Sequence, residues 1–163
     1  MKNLSAVILM VSLLLGCGGA TPKEESSSQG KPEKRDYVAM GFQYLEKSEL
    51  PKALQSFDLA IKQNPRDVKN YFVLGEVYMR LKNFTSAEDT FIGATKAAPA
   101  NEEAYYYLAL SRAAQAGKKD LAIVAIKKSA ELAMQSKNEA NFKRAVTLLK
   151  TIEAPQQKAV QTQ

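Results

Sequence analysis

One thiol and no imidazole set narrow limits on the chemistry this chain can carry out. Its 163 residues include a single Cys, Cys17, with no His and no Trp. Zinc centres draw on several Cys and His ligands, and Ser or Cys nucleophiles need an adjacent base such as His. Neither set can be assembled from this composition, and one Cys cannot close a disulfide within the chain. The remaining candidates are carboxylates. Glu76 and Glu103 are of the type that could flank a glycosidic bond as acid and base. Both, however, sit beside apolar residues or near expected helix starts, where acidic side chains serve the helix dipole. No titratable group has a sequence partner of the kind catalytic sites show. The sequence therefore reads as a protein that is not an enzyme and holds neither metal nor cofactor.

Cys17 stands at the end of a leader. Lys2 gives a positive start, Leu4–Leu15 an apolar run, and Gly16 the small residue before a cleavage point. The run is too short for a spanning helix, which needs about 20 apolar residues. Leu14-Leu15-Gly16-Cys17 resembles the lipobox of bacterial lipoproteins. That resemblance implies a signal peptide over residues 1–16 and acylation of Cys17. More than one acyl chain gives stable membrane anchoring, since each buried methylene contributes about 0.8 kcal/mol. An ordinary secretory peptide with an incidental Cys is the other reading. Gly18 follows where an Asp would resemble an inner-membrane retention signal. The expected location is thus the bacterial outer membrane, facing the periplasm, with the periplasmic face of the inner membrane as the alternative. Residues 17–35 read as the lipidated Cys and a flexible tether. Beyond Cys17 there are Pro22, Pro32, Ser26–Ser28 and alternating Lys and Glu, but no large apolar residue to bury. A tether of that length spans roughly 20–25 Å.

Behind the tether the apolar residues fall into register. Tyr71, Leu74, Gly75 and Tyr78 lie at i, i+3, i+4 and i+7, one stripe of a helix. Ala87, Phe91 and Ala94 form a second stripe, and Pro99 closes the series. Gly inside a helix costs about 1 kcal/mol relative to Ala, so Gly75 should offset that cost by letting two helices approach, with Phe91 beside them. The same series occurs 34 residues earlier as Tyr37, Met40, Gly41, Tyr44, Ala53, Phe57, Ala60 and Pro65. A third copy begins with Tyr105, Leu108 and Ala109 but has Arg112 where Tyr should stand. It then slips by one, so that Ala122, Ile126 and Ser129 take the places of Leu121, Ala125 and Lys128. The turn at Gly117-Lys118-Lys119-Asp120 is correspondingly one residue longer, and Met134 replaces the Pro.

This series resembles the tetratricopeptide repeat: an aromatic, Leu-Gly and Tyr on one helix, then Ala, Phe and a closing Pro. The resemblance implies an all-α solenoid over 36–152, with three helical hairpins at about 34–67, 68–101 and 102–135. Helices are expected at 36–47, 51–63, 68–81, 85–97, 101–116, 120–134 and 137–152. Thr85–Glu88 and Ser136–Glu139 read as capping boxes, Asn101 and Asp120 as N-caps, and Pro51 suits a first turn. The seventh helix carries Phe142, Ala145, Val146 and Leu149 on one stripe and reads as a capping helix against the third repeat. Residues 153–163 read as a disordered tail.

In arrays of this family the first helices line a concave side that holds an extended peptide or a partner helix. The resemblance places that side at Val38, Phe42 and Leu45, at Phe72, Glu76 and Met79, and at Tyr106, Leu110 and Ala113. These residues are mostly apolar, and a second apolar stripe on a helix usually marks a binding surface. Phe42, Phe72, Met79 and Tyr106 are the expected anchors. The competing reading is that the same residues pack repeat against repeat. The carboxylate clamp of chaperone-binding members has no counterpart, because its places hold Val38, Phe42, Val73, Glu103 and Tyr107. A protein partner would therefore dock by apolar side chains, as an amphipathic helix or an extended strand. Residues 118–163 carry nine basic and four acidic side chains. That excess either attracts anionic headgroups or an acidic partner, or is a solvated helix face. Nucleic acid is not an expected partner behind an export signal. Together these features describe a membrane-tethered adaptor without chemistry of its own. It is similar to the pilotins of type IV pilus biogenesis, which help a secretin channel reach or assemble in the outer membrane, although those usually have longer arrays. A scaffold in outer-membrane or cell-wall assembly is the alternative, and a wall hydrolase or its activator a third reading.

Overall fold

A computed structural model describes residues 35–154. The leader, Cys17, residues 18–34 of the tether and the tail beyond Ala154 lie outside the described residues. Within them the regular structure is helical: α1 Tyr37–Glu46, α2 Leu50–Gln63, α3 Val68–Arg80, α4 Phe84–Ala97, α5 Glu102–Ala113, α6 Lys119–Gln135 and α7 Glu139–Glu153. The helices pair in chain order as α1 with α2, α3 with α4, and α5 with α6. The pairs stack through α2 on α3 and α4 on α5, while α7 lies on α6 and also reaches α5. The core is a strip threaded along this stack. One cluster holds Ala53, Phe57, Leu74 and Val77, and the other Ala87, Phe91, Leu108, Ala109, Ala125, Ile126 and Ala145. Tyr78 packs against both and joins them.

Small residues on the first helix of each hairpin set how closely the second can approach. A Cβ on Gly41 would overlap the Phe57 ring, and one on Gly75 the Phe91 ring. Both rings are fully buried. The third hairpin uses Ala109 opposite Ile126, which is also fully buried. Where the first helix has a methyl group, the second has an aliphatic chain rather than a ring.

The register slip in the third repeat has a visible cause. Ala122, Ile126 and Ser129 are buried, whereas Leu121 is 49% exposed. The connection from α5 to α6 runs over residues 114–118, longer than 47–49 or 81–83 in the earlier hairpins. It turns through Gly117 at φ 76°. The other tight turns place a non-glycine in the left-handed region: Ser48 at φ 58°, Lys82 at 56° and Lys137 at 56°. In each, the following residue donates its N–H back across the turn, from Glu49 to Tyr44 O at 2.8 Å, Asn83 to Tyr78 O at 2.9 Å and Asn138 to Ala133 O at 2.8 Å. This is the bonding of a helix end closed by a left-handed residue. The α6–α7 turn thus copies the turns inside hairpins, whereas the linkers between the hairpins carry Pro65 and Pro99.

These turns also correct the expected caps. Asn83, not Thr85, caps α4, its side chain accepting from Ser86 N at 3.2 Å. Ser136 ends α6, and Asn138 caps α7. Asp120 lies inside the first turn of α6, whose start at Lys118 has no side-chain cap. In each case the left-handed turn places the residue after it at the helix start, so the capping position is set by turn geometry rather than by the nearest Thr or Ser. Asn101 does cap α5, accepting from Ala104 N at 3.0 Å, and Pro51 does occupy the first turn of α2.

Helix α7 is tied down at both ends. Asn138 Nδ2 and Asn141 Nδ2 donate to Glu102 Oε1 at 3.0 and 3.1 Å, and Lys119 Nζ donates to Glu153 O at 3.4 Å. Its inward stripe is Ala145, Leu148, Leu149 and Ile152. Phe142, expected on that stripe, is instead 38% exposed, and its neighbour Asn141 is the residue that faces α5, through its bond to Glu102.

Candidate functional site

Helices α1, α3 and α5 supply the inner face, and the sequence-predicted groove residues distribute along it unevenly. Phe42 and Leu45 of α1, Leu50 at the start of α2, and Val73, Glu76, Val77, Arg80 and Leu81 around α3 line a cleft of about 280 Å³. Phe42 is 47% exposed and Leu81 44%. The Phe42 ring stands edge-on to Phe57, centroids 5.3 Å apart at 72°. Gly41, which admits the Phe57 ring, therefore also positions Phe42.

The other predicted residues do different work. Val38 packs on the first core cluster, and Phe72 on the second. Phe72 meets Tyr107 at 5.5 Å, and Tyr107 stacks on Phe91 at 5.2 Å and 15°. The Tyr107 hydroxyl donates to Glu76 Oε1 at 3.0 Å. Burial and this bond push the Tyr107 hydroxyl above its ordinary range. Glu76 is therefore committed to holding α5 against α3. Tyr106 is covered on one ring face by the Arg144 guanidinium of α7, 4.5 Å from its centroid. For Phe72 and Tyr106 the geometry is that of packing between helices, because α5 and α7 close over the faces that the sequence pattern left open.

Met79, Leu110 and Ala113 line a larger cleft of about 690 Å³, whose opposite wall is Leu148, Thr151 and Ile152 of α7, with Lys119 at its end. An adjoining cleft of about 560 Å³ is lined by Tyr106, Ala140, Lys143, Arg144, Thr147, Leu148 and Thr151. Leu148 and Thr151 border both, so the two run together along α7. Sequence reasoning missed the α7 residues and also Leu50, Val77 and Leu81. The spacing of Val73, Val77 and Leu81 at successive i+4 steps was an available signal. That of Leu148, Thr151 and Ile152 was another.

The most perturbed titratable group lies away from these clefts. Glu88 of α4 has a side chain 8% exposed, and its carboxylate accepts from Arg112 Nε at 2.9 Å, Gln115 Nε2 at 2.9 Å and Lys118 Nζ. Burial pushes the Glu88 carboxyl up, but the bonds from Lys118, Arg112 and Gln115 outweigh it and hold it down at about 2. This accounts for Arg112 where the repeat pattern calls for Tyr. With every oxygen engaged by a cation or an amide, the cluster is a clamp between α4 and α5 rather than a proton-transfer site. At the other end of α5, the Glu102 carboxyl is held below its usual range by its own backbone N–H against burial, with help from Asn141 and Asn138. Among the described residues no group of three His, Cys, Asp or Glu side chains could hold a metal ion, and no helix is long and apolar enough to cross a membrane.

No curated protein matches this sequence. Solved structures do match in fold. The TPR2B domain of yeast Sti1, solved as a complex with pHsp70, is 20% identical over 71% of this chain and 92% of its own, with a TM-score of 0.61. PcrH from Pseudomonas aeruginosa is 20% identical over 72% of this chain and 89% of its own, also at 0.61. The first repeat domain of Spaghetti, bound to an HSP90 peptide, is 22% identical over 71% and 86%, at 0.57. The tetratricopeptide-repeat model matches residues 43–102 and 72–137. By that match, spanning more than half of its length, and by the stacked hairpins that realise it, the chain belongs to the tetratricopeptide-repeat family.

Proposed function

We propose that this protein is a binding scaffold, held on the bacterial outer membrane by acyl chains on Cys17, that seats an apolar segment of a protein partner on its inner face during envelope assembly. Type IV pilus or secretin biogenesis is the favoured setting, with outer-membrane or cell-wall assembly as the alternative. The observation that carries the reading is the α1–α3 cleft, where Phe42 and Leu81 leave large apolar side chains in water beside Leu45, Val73 and Val77. Grouped apolar exposure of this kind is a common mark of a docking site. Relatives in fold support it, since PcrH has been solved in complex with the chaperone-binding region of PopD, and Spaghetti with its HSP90 peptide. The carboxylate clamp positions are here Val38, Phe42, Val73, Glu103 and Tyr107, and Glu103 lies 3.8 Å from Arg144. The bound segment is therefore apolar at its anchors rather than held by a terminal carboxylate.

The test is capture of partners by the acylated full chain from cross-linked envelopes, with and without Phe42→Ala and Leu81→Ala together. These side chains are half in solvent, so the pair should fold while losing the partner. A secretin among the captured proteins supports the pilus setting. A barrel-assembly or wall-synthesis complex moves the protein to that assembly, and release of muropeptides by the purified chain would replace binding with hydrolysis. Undiminished capture by the double variant would remove the α1–α3 cleft from the site. Mass spectrometry of the mature N-terminus checks the anchor: an unmodified Cys17 would end that part of the proposal.

A further inference from the structure

We infer that the α7 end of the inner face selects an acidic amphipathic helix, an inference that rests on the inner face being a docking surface. The larger of the two clefts there is lined by the apolar side chains of Met79, Leu110, Leu148 and Ile152, and the smaller shares Leu148 and Thr151 with it. The charged side chains on their walls are Lys119, Lys143 and Arg144, with no carboxylate among the lining residues. The α1–α3 cleft differs, since its lining includes a carboxylate, Glu76, as well as Arg80. The cations at the α7 end are also weakly answered by the protein itself. Lys119 bonds a backbone carbonyl, that of Glu153, rather than a carboxylate. Arg144 meets a carboxylate at 3.8 Å, that of Glu103, besides donating to Asn141 Oδ1 at 3.3 Å and lying over Tyr106, and it remains 46% exposed; Lys143 is exposed with no ion pair among the described residues. An apolar trough walled by cations complements a helix with an apolar stripe flanked by Asp or Glu. From Ala140 to Ile152 the α7 wall runs about 18 Å at 1.5 Å per residue, the length of about twelve helical residues. An anionic bilayer offers the same charge, but a flat surface cannot reach into the clefts, so the geometry favours a peptide.

The experiment uses the mature full chain and three fluorescent peptides of equal length. They share Leu at i, i+3, i+4 and i+7 and carry Glu, Gln or Lys on the flanks. Anisotropy titrations at ~50 mM and ~500 mM salt separate screened from unscreened attraction. At the lower salt the Glu peptide should bind about tenfold tighter than the Gln peptide, as several partly exposed pairs acting together allow. The Lys peptide should be weakest, and the preference should shrink at high salt. Lys143→Gln alone should reduce the ratio of Glu-peptide to Gln-peptide affinity measured on the same protein, and Lys143→Gln with Lys119→Gln should reduce it further. Equal binding of the Glu and Gln peptides overturns the selectivity and leaves the docking surface standing. Failure of all three peptides to bind overturns this inference, whereas the α1–α3 cleft stands or falls with the capture experiment. Phosphatidylglycerol vesicles that displace the Glu peptide, where phosphatidylcholine vesicles do not, would transfer the site to lipid and overturn the peptide assignment.

Discussion

Replacing Glu88 by Gln removes one charge and almost no volume, which makes the clamp between α4 and α5 measurable. In the folded chain the carboxylate accepts from Arg112, Gln115 and Lys118, and Arg112 is itself only 17% exposed. A carboxyl whose pKa falls from 4.5 to about 2 stabilises the fold by about 3 kcal/mol when ionised, at about 1.4 kcal/mol per tenfold. Lys118 is 34% exposed, and its solvation reduces this to about 2 kcal/mol. Because the folded pKa lies below the unfolded one, this stability is complete above about pH 5 and disappears as the pH falls toward about 2. Gln resembles the protonated acid at every pH. The variant should therefore lose about 2 kcal/mol at about pH 7 and nothing at about pH 2, with the difference closing between them. Urea unfolding followed by circular dichroism on both proteins, at intervals across that range, cancels the titration of the other carboxylates. A loss that stays constant down to about pH 3, or one below about 0.5 kcal/mol at neutral pH, would refute the assignment of Glu88 as a charged clamp.

Three further outcomes follow from the packing. Gly75→Ala should lower stability by about 1–3 kcal/mol despite a helix-propensity gain of about 1 kcal/mol, because the new methyl meets the buried Phe91 ring. Adding Phe91→Ile should recover part of that loss by recreating the Ala109–Ile126 pairing, and calorimetry on the four proteins of this cycle reads the coupling. Lys82→Gly and Lys137→Gly, at φ 56°, should each raise stability by about 0.5–1 kcal/mol, because a left-handed position strains any side chain; unchanged melting temperatures would contradict this. Asn141→Ala removes one of the two amide donors to Glu102 Oε1 and should cost about 1 kcal/mol. Its amide exchange should quicken in α7 while that of α3 stays slow.

The hairpins were legible because their signals are local and repeated. Gly41 and Gly75 announce close approach, Phe57 and Phe91 announce what fills it, and the distance between copies is constant. The slip at Ala122, Ile126 and Ser129 was legible for the same reason, since a buried stripe must keep its period whatever the turn before it does. Part of the inner face was legible too. Phe42, Leu45 and Glu76 line the first cleft, Met79, Leu110 and Ala113 the second and Tyr106 the adjoining one, whereas Val38 and Phe72 pack on the core, because helical spacing dictates which residues share a face but not what covers them.

The amino-acid sequence alone thus determined the helices, their pairing and the apolar character of the inner face, since each follows from the order of neighbours within about one repeat. Tertiary structure decided what covers that face. Only the placement of α7, fixed by Asn138, Asn141 and Lys119 against residues far away in the chain, closes Tyr106 under Arg144 and brings cations to the α7 clefts. Likewise only the folded chain joins Glu88 to Arg112 and Lys118. Such contacts join residues of different helices across distances that no periodicity records, and they depend on the angle at which one helix meets the next.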